Sequence, residues 1–152
     1  MPPRQALRML MLTYVLMYAT FAVSVLFGEA QVYALLDTLQ GILGFGQPAG
    51  PAPATAIWKY VAVGLIGTLA LMSWWTWLDV DRGRPLVQLM IYAKVIAGVA
   101  MIVHFAVAGE VVAFLLGGLS DLAMGAFALI FLERAFPGAW RDVVSLRWPA
   151  ST

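Results

Sequence analysis

The sequence has no cysteine and only one histidine in 152 residues. The absence of cysteine excludes disulfide bonds, thiolate metal sites and cysteine nucleophiles. Motifs for nucleophilic catalysis, phosphate binding and zinc binding are also missing from the chain. Charged residues make up 11% of it, compared with about 25% in an average soluble domain. The sequence therefore predicts no catalytic residue, no metal, no cofactor and no nucleic-acid partner.

Apolar residues, in contrast, make up 62% of the chain, and the mean hydropathy is +0.88. A soluble fold of this size could not bury so much apolar surface, because small domains leave much of their surface exposed. Four apolar segments, 9–27, 57–78, 86–108 and 111–132, are each long enough to cross a hydrocarbon core about 30 Å thick. Because they lack strand-like alternation, the predicted fold is all-α, an integral membrane four-helix bundle formed by one transmembrane domain, 1–152.

The first connection is long and has two parts. Apolar residues recur at helical spacing over 30–43, which predicts a short amphipathic helix in the first external loop. This helix either lies at the membrane interface or caps the end of the bundle. Residues 44–56 are rich in Gly, Pro and Ala and predict a helix-free external loop. After the last span, 135–152 are predicted to form a cytoplasmic tail at the headgroup level.

Basic residues are distributed unequally between the two sides of this arrangement. Of the nine Lys and Arg residues, only Lys59 lies on the outer side, and Lys94 lies within a span. The others share the opposite side: Arg4, Arg8, Arg82, Arg84, Arg134, Arg141 and Arg147. Because Lys and Arg concentrate in cytoplasmic loops, we expect both termini on the cytoplasmic side of a bacterial inner membrane.

Tryptophans lie near the predicted ends of the second span and in the tail. They are Trp58, Trp74, Trp75, Trp77, Trp140 and Trp148. This placement is typical of the aromatic belt at a membrane interface, so they are predicted to be interfacial anchors. A cation or quinone site built on Trp74, Trp75 and Trp77 is the alternative interpretation.

Two charged residues lie inside the predicted spans, Lys94 in the third and Asp121 in the fourth. A charge at that depth costs at least roughly 2.5–3.5 kcal/mol, so we expect neither residue to face lipid. Folding the hairpin about Gly109 separates the two residues by only about 4.5 Å along the helix axis, which predicts an intramembrane ion pair. The pair either fixes helix register, takes part in proton or substrate movement, or contacts another subunit.

Small and polar residues surround this predicted pair. Gly98, Gly117 and Gly125 are predicted to let the two helix backbones approach closely. Ser120 and Tyr92 are expected as additional hydrogen-bond partners of the charged groups.

The single histidine, His104, lies near the outer end of the third span, with Glu110 nearby. It is either an interfacial histidine bonded to the backbone or to Glu110, or a proton relay or ligand. Since one histidine cannot supply both axial ligands of a haem, a cofactor would need a partner chain or Met101.

Three stretches carry a family resemblance: LDVDRGRPLV, IYAKVIAG and GGLSDLAMGAFALIFLER. With them the chain resembles small four-helix bacterial inner-membrane proteins, broadly similar to DoxX-like proteins in size and topology. The resemblance implies the four-helix fold but no specific activity, because those families have no firmly shared activity.

Three classes of function remain open. The leading prediction is a non-enzymatic accessory or interaction subunit of a larger bacterial membrane protein complex, because four short-looped helices offer little interior for a substrate path. A small proton-coupled carrier, acting as a homo-oligomer through Lys94 and Asp121, is the first alternative. An enzyme or quinone-site subunit is the second. The expected partners are the lipid bilayer and other membrane subunits or further copies of the chain.

Overall fold

The structure is a computed structural model that describes residues 1–44, 57–108 and 112–148. All regular secondary structure within these ranges is helical. In chain order the helices are α1 (Pro3–Phe27), α2 (Glu29–Leu43), α3 (Ile57–Leu78), α4 (Val80–Ala108), α5 (Val112–Ala135) and α6 (Ala139–Val144). Residues 45–56 of the predicted loop, Glu110 and the side chain of Trp58 lie outside the described part of the chain.

Four of these helices, α1, α3, α4 and α5, are long and apolar enough to cross a membrane. Both α1 and α4 pack against α3 and α5, so the four helices form a closed ring. The chain thus has the all-helical architecture of a multi-pass membrane protein, as the sequence predicts. We call the end of the ring at which α1 begins and α5 ends the terminal end, and the opposite end the distal end.

Helix α4 begins at Val80 rather than at the predicted Leu86. Asp79 explains the earlier start, because its Oδ1 accepts a hydrogen bond from the backbone N–H of Arg82 at 3.1 Å. Asp is a favoured N-cap residue, and this contact satisfies one N–H of the first turn. Pro85 therefore lies inside α4, five residues after its first residue.

Helices α1 and α5 also exceed the predicted spans. Helix α1 begins at Pro3 rather than Met9, because proline at the first helical position loses no hydrogen bond. Helix α5 continues to Ala135 rather than ending at Leu132.

Only Asp79 separates α3 from α4, and the two helices touch where they meet. A Cβ added to Gly83 would lie 2.5 Å from the Cα of Thr76, so this close approach requires glycine. The Thr76 hydroxyl also lies 3.3 Å from the Gly83 carbonyl oxygen. This tight junction fixes α3 beside α4 at the terminal end.

The core extends from the terminal end to the middle of the ring. Its residues follow helical spacing on each wall: Leu7, Met11, Tyr14 and Tyr18 on α1; Val87, Met90, Ile91 and Lys94 on α4; Met124, Ala128, Leu132 and Ala135 on α5. Among the described residues, Lys94 is the one charged residue that is buried. The apolar core thus ends at a charged group in mid-bundle.

Helix α2 lies outside this core, and none of its residues is buried. It follows α1 directly after Gly28 and contacts α1 and α5. Glu29 at its start accepts a hydrogen bond from Lys59 Nζ of α3 at 3.2 Å. Leu35 and Ile42 are 58% and 75% exposed, so α2 presents apolar side chains that no described residue covers.

The tail turns back onto the bundle through α6. Gly138 adopts a φ of +91°, which glycine tolerates without strain and which allows the chain to reverse after α5. The Glu133 carboxylate accepts hydrogen bonds from the backbone N–H groups of Gly138 at 2.8 Å and Trp140 at 2.9 Å. Ala139 and Val143 are buried, so α6 is packed against the terminal end.

Candidate functional site

Lys94 occupies the midpoint of α4, about 21 Å from either end at 1.5 Å per residue. Its side chain lies on the same face as Val87 and Ile91, which places the ammonium group inside the ring. Asp121 lies on α5, one turn before the buried Met124 and Gly125. Both charged residues therefore lie near mid-height of the bundle.

The structure brings Lys94 and Asp121 together. Lys94 Nζ donates a hydrogen bond to Asp121 Oδ1 at 2.5 Å. The two side chains are 10% and 17% exposed, so the contact is shielded on most sides. A charged contact of this kind, largely removed from solvent, is stable only with good geometry and with further partners for its polar atoms.

Helix α1 places two tyrosines beside this contact, and one of their rings covers the ammonium group. The Lys94 ammonium nitrogen lies 5.0 Å from the centroid of the Tyr18 ring, within the range of a cation–π interaction. Tyr14 packs against Tyr18 in an edge-to-face arrangement with 5.9 Å between ring centroids. The Tyr14 hydroxyl donates a hydrogen bond to the carbonyl oxygen of Met124 at 2.6 Å. These contacts join α1, α4 and α5 at one level, and we call Tyr14, Tyr18, Lys94 and Asp121 the mid-bundle cluster.

One polar atom of this cluster has no hydrogen-bond partner among the described residues. The Tyr18 hydroxyl is buried and makes no hydrogen bond with any residue that the structure describes. A buried polar group normally has a partner, and leaving it without one costs about 1–3 kcal/mol. No contact among the described residues therefore compensates for the burial of this hydroxyl.

Close packing of α4 on α5 occurs at Gly98 and Gly118. A Cβ added to Gly118 would lie 2.8 Å from the carbonyl oxygen of Gly98. Gly125 lies beside Lys94, and a Cβ added to Gly125 would lie 3.4 Å from the lysine Cβ. A Cβ added to Gly117 would lie 3.2 Å from Met101 Sδ. The sequence interpretation named Gly117 and missed Gly118. The spacing of three residues from Gly118 to Asp121 could have indicated it.

The two further hydrogen-bond partners expected from the sequence do not join the pair. Tyr92 Oη donates to the carbonyl oxygen of Val143 at 2.9 Å, and Ser120 is exposed. Tyr92 lies one turn from Gln88 on the same helix face, and Tyr92 Oη accepts a hydrogen bond from Gln88 Nε2 at 2.8 Å. Both side chains point to the tail.

A second polar network, which the sequence did not predict, fastens the tail to α4. Gln88 is 3% exposed, and its Nε2 also donates to the carbonyl oxygen of Arg147 at 2.7 Å. Arg84 forms an ion pair with Asp142 at 2.5 Å. The spacing of four residues between Arg84, Gln88 and Tyr92 was the available signal, because it places all three on one helix face.

His104 does not lie in the mid-bundle cluster. It is ten positions beyond Lys94 on α4, about 15 Å along the axis, and its ring packs edge-on against Phe114 with centroids 4.6 Å apart. Its predicted partner Glu110 lies outside the described residues, so the relay or ligand role stays a prediction. Within the described ranges, no group of three or more His, Cys, Asp or Glu residues could hold a metal ion.

The tryptophans named as anchors lie toward the terminal end, Trp58 excepted. Trp74 and Trp75 are exposed, as are Trp140 and Trp148 in the tail. Trp77 is partly covered, with its ring 4.8 Å from that of Trp74 and 5.5 Å from the Arg8 guanidinium. This arrangement suits an interfacial position, which stays a prediction.

The chain matches no protein-family model, no curated protein and no solved structure. Its function is therefore argued from the geometry described above.

Proposed function

We propose that this chain is a non-enzymatic accessory or interaction subunit of a larger bacterial membrane protein complex. The resemblance to DoxX-like proteins in size and topology is part of this proposal. The chain resides in the inner membrane with both termini in the cytoplasm, since the basic residues Arg4, Arg8, Arg84 and Arg141 all belong to the terminal end.

In this proposal the mid-bundle cluster holds the spans in register. Lys94 on α4 is bonded to Asp121 on α5 and covered by the Tyr18 ring of α1. A helix rotated by one residue, about 100°, would turn one charged side chain away from the other and leave both in hydrocarbon, at a cost of at least about 2.5 kcal/mol for each. The cluster thus penalises arrangements of the spans in which the two charges do not meet.

The observation that carries the proposal is the exposure of α2. All four spans contribute buried residues, but α2 contributes none, although it carries the exposed apolar residues Leu35 and Ile42. These two residues lie seven positions apart and share one helix face. In the complex this face docks against an apolar groove on another membrane subunit.

The test compares two double variants of α2 in the native membrane. Leu35→Glu with Ile42→Glu places two charges on the apolar face, and Ala30→Glu with Gly41→Glu places two charges on exposed positions at the opposite side of the same helix. Each tagged chain is extracted in mild detergent, and the mass and composition of the intact particle are measured. The proposal expects fixed stoichiometry with other proteins in wild type and in the Ala30/Gly41 control, and loss of those proteins in the Leu35/Ile42 variant.

Two outcomes would overturn the proposal. In the first, the wild-type chain emerges alone or as a symmetric oligomer. In the second, both double variants retain the same proteins. The first outcome favours the carrier, and the second removes α2 as the docking surface.

One observation favours a second candidate, a proton-coupled carrier that acts as a homo-oligomer. The buried Tyr18 hydroxyl, without a partner among the described residues, lies beside the Lys94–Asp121 contact. In a carrier, Tyr18 and Lys94 would alternate as hydrogen-bond donors to Asp121 while a proton passes. Asp121→Asn would then abolish transport in reconstituted vesicles but leave the protein folded, whereas the register role predicts loss of stability.

A further inference from the structure

A cleft of about 440 Å³ opens at the terminal end, between the start of α1 and the junction of α3 with α4. Its walls are formed by Arg4, Gln5, Arg8, Leu78, Asp79, Val80 and Asp81. Two guanidinium groups therefore face two carboxylates, and the cleft is formally neutral.

The cleft lies at the level where two spans leave the hydrocarbon. The apolar part of α1 starts at Met9, directly after Arg8, and α3 ends at Leu78, directly before Asp79. Met9 and Leu78 are 47% and 52% exposed. Basic residues and tryptophans at the ends of spans lie among the lipid headgroups, so the cleft faces the headgroups rather than bulk water.

Arg8 is the group best placed to receive an anion. Its guanidinium lies 5.5 Å from the Trp77 ring centroid, which holds it in position. None of the ion pairs formed by the described residues involves Arg8. Its N–H groups are therefore available to a phosphate, the anion whose oxygens a guanidinium binds with two parallel hydrogen bonds.

The two carboxylates are placed to receive a cation. Asp79 and Asp81 have side chains 48% and 55% exposed, and their partners Arg82 and Arg4 are 92% and 61% exposed. Exposed ion pairs of this kind contribute little and exchange readily. A ligand ammonium can therefore replace one of these arginines.

We propose that this cleft binds the headgroup of a phospholipid with a primary amine, the phosphate on Arg8 and the ammonium on Asp79 and Asp81. A primary ammonium donates three hydrogen bonds, which a trimethylammonium cannot do. Because the cleft is neutral, it favours a zwitterionic headgroup over an anionic one. This binding site goes beyond the accessory-subunit role and does not depend on it.

The test measures lipid retention on the purified full-length chain by native mass spectrometry. Phosphatidylethanolamine, phosphatidylcholine and phosphatidylglycerol with identical acyl chains are offered in equal amounts in mixed micelles. We expect phosphatidylethanolamine to be retained most. Arg8→Gln should lower its retention roughly fivefold, the value of one exposed charge pair, while Arg134→Gln, an exposed arginine at the same end, leaves retention unchanged.

A second variant keeps the test independent of folding. Asp79→Asn with Asp81→Asn should shift the preference toward phosphatidylglycerol, because the cleft then carries net positive charge. Asn is also a good N-cap, so α4 keeps its start. A gain of binding to another lipid cannot arise from an unfolded chain.

Four results would overturn the proposal: equal retention of the amine and choline lipids, a wild-type preference for phosphatidylglycerol, identical behaviour of the Arg8 and Arg134 variants, or an unchanged preference in the double Asp variant. Free phosphoethanolamine is added as a competitor in a separate arm. Displacement of the lipid at equimolar competitor would assign the cleft to a soluble phosphate ester instead.

Discussion

Gly98 and Gly118 meet where α4 crosses α5, and a Cβ added to Gly98 would lie 2.9 Å from the carbonyl oxygen of Gly118. Each glycine is about one helical turn from a member of the charged pair, Gly98 from Lys94 and Gly118 from Asp121. The crossing therefore sets the distance that the lysine side chain must span. Close packing and the buried polar contact are two parts of one interaction.

Substitution of these glycines should separate the two helices. Gly98→Ala and Gly118→Ala each bring a Cβ within 3.0 Å of a backbone oxygen, and we expect a loss of about 1–3 kcal/mol in the free energy of unfolding. Gly64→Ala on α3 is the control, because no atom lies within 4 Å of its added Cβ and alanine favours a helix. Denaturant titration in detergent gives the comparison. Equal stability of Gly118→Ala and Gly64→Ala would show that α4 and α5 do not approach this closely.

The two tyrosines of the mid-bundle cluster should respond differently to loss of their hydroxyl groups. Tyr14→Phe removes the hydrogen bond to the Met124 carbonyl and should cost about 1 kcal/mol. Tyr18→Phe removes a buried hydroxyl that has no partner among the described residues, so stability should be unchanged or higher. Unfolding free energies of the two variants test this order, and a larger loss in Tyr18→Phe would contradict it.

The tail should detach when its attachment to α4 is weakened. Gln88→Leu removes the hydrogen bonds from Nε2 to Tyr92 Oη and to the Arg147 carbonyl. We expect trypsin to release the peptide after Arg141 about fivefold faster, because cleavage follows the population of the open tail. Gln5→Leu, an exposed glutamine at the same end, is the control. Equal release rates in the two variants would show that the Gln88 contacts do not hold the tail.

Local patterns predicted the features that depend on neighbouring segments. The four spans followed from apolar length, and the proximity of Lys94 to Asp121 followed from counting residues through the short connection between α4 and α5. That count was possible because a tight hairpin leaves one antiparallel register. The predicted start of α4 is six residues late because it follows the apolar run, which begins at Leu86, although Asp79 before Val80 is an equally local signal of a helix start.

Contacts between distant segments could not be derived in this way. The covering of Lys94 by Tyr18 depends on how α1 sits against α4 and α5, and a long connection separates α1 from both. The docking of α6 was missed for a similar reason. Trp140 and Trp148 predict a tail at the interface but do not indicate that Gln88 and Tyr92 bind the backbone carbonyls of Arg147 and Val143. They also do not indicate that Arg84 pairs with the Asp142 carboxylate.

The most direct test of the register role is the unfolding free energy of three variants at the charged pair. Asp121→Asn and Lys94→Met each leave one charged group without its partner and should lose about 3 kcal/mol. Lys94→Met combined with Asp121→Leu removes both charges while roughly preserving volume, and it should recover to within about 1 kcal/mol of wild type. That recovery, with the double variant still bound in its complex, is the predicted result. Wild-type stability in Asp121→Asn would contradict it and make the pair a candidate for proton transfer instead.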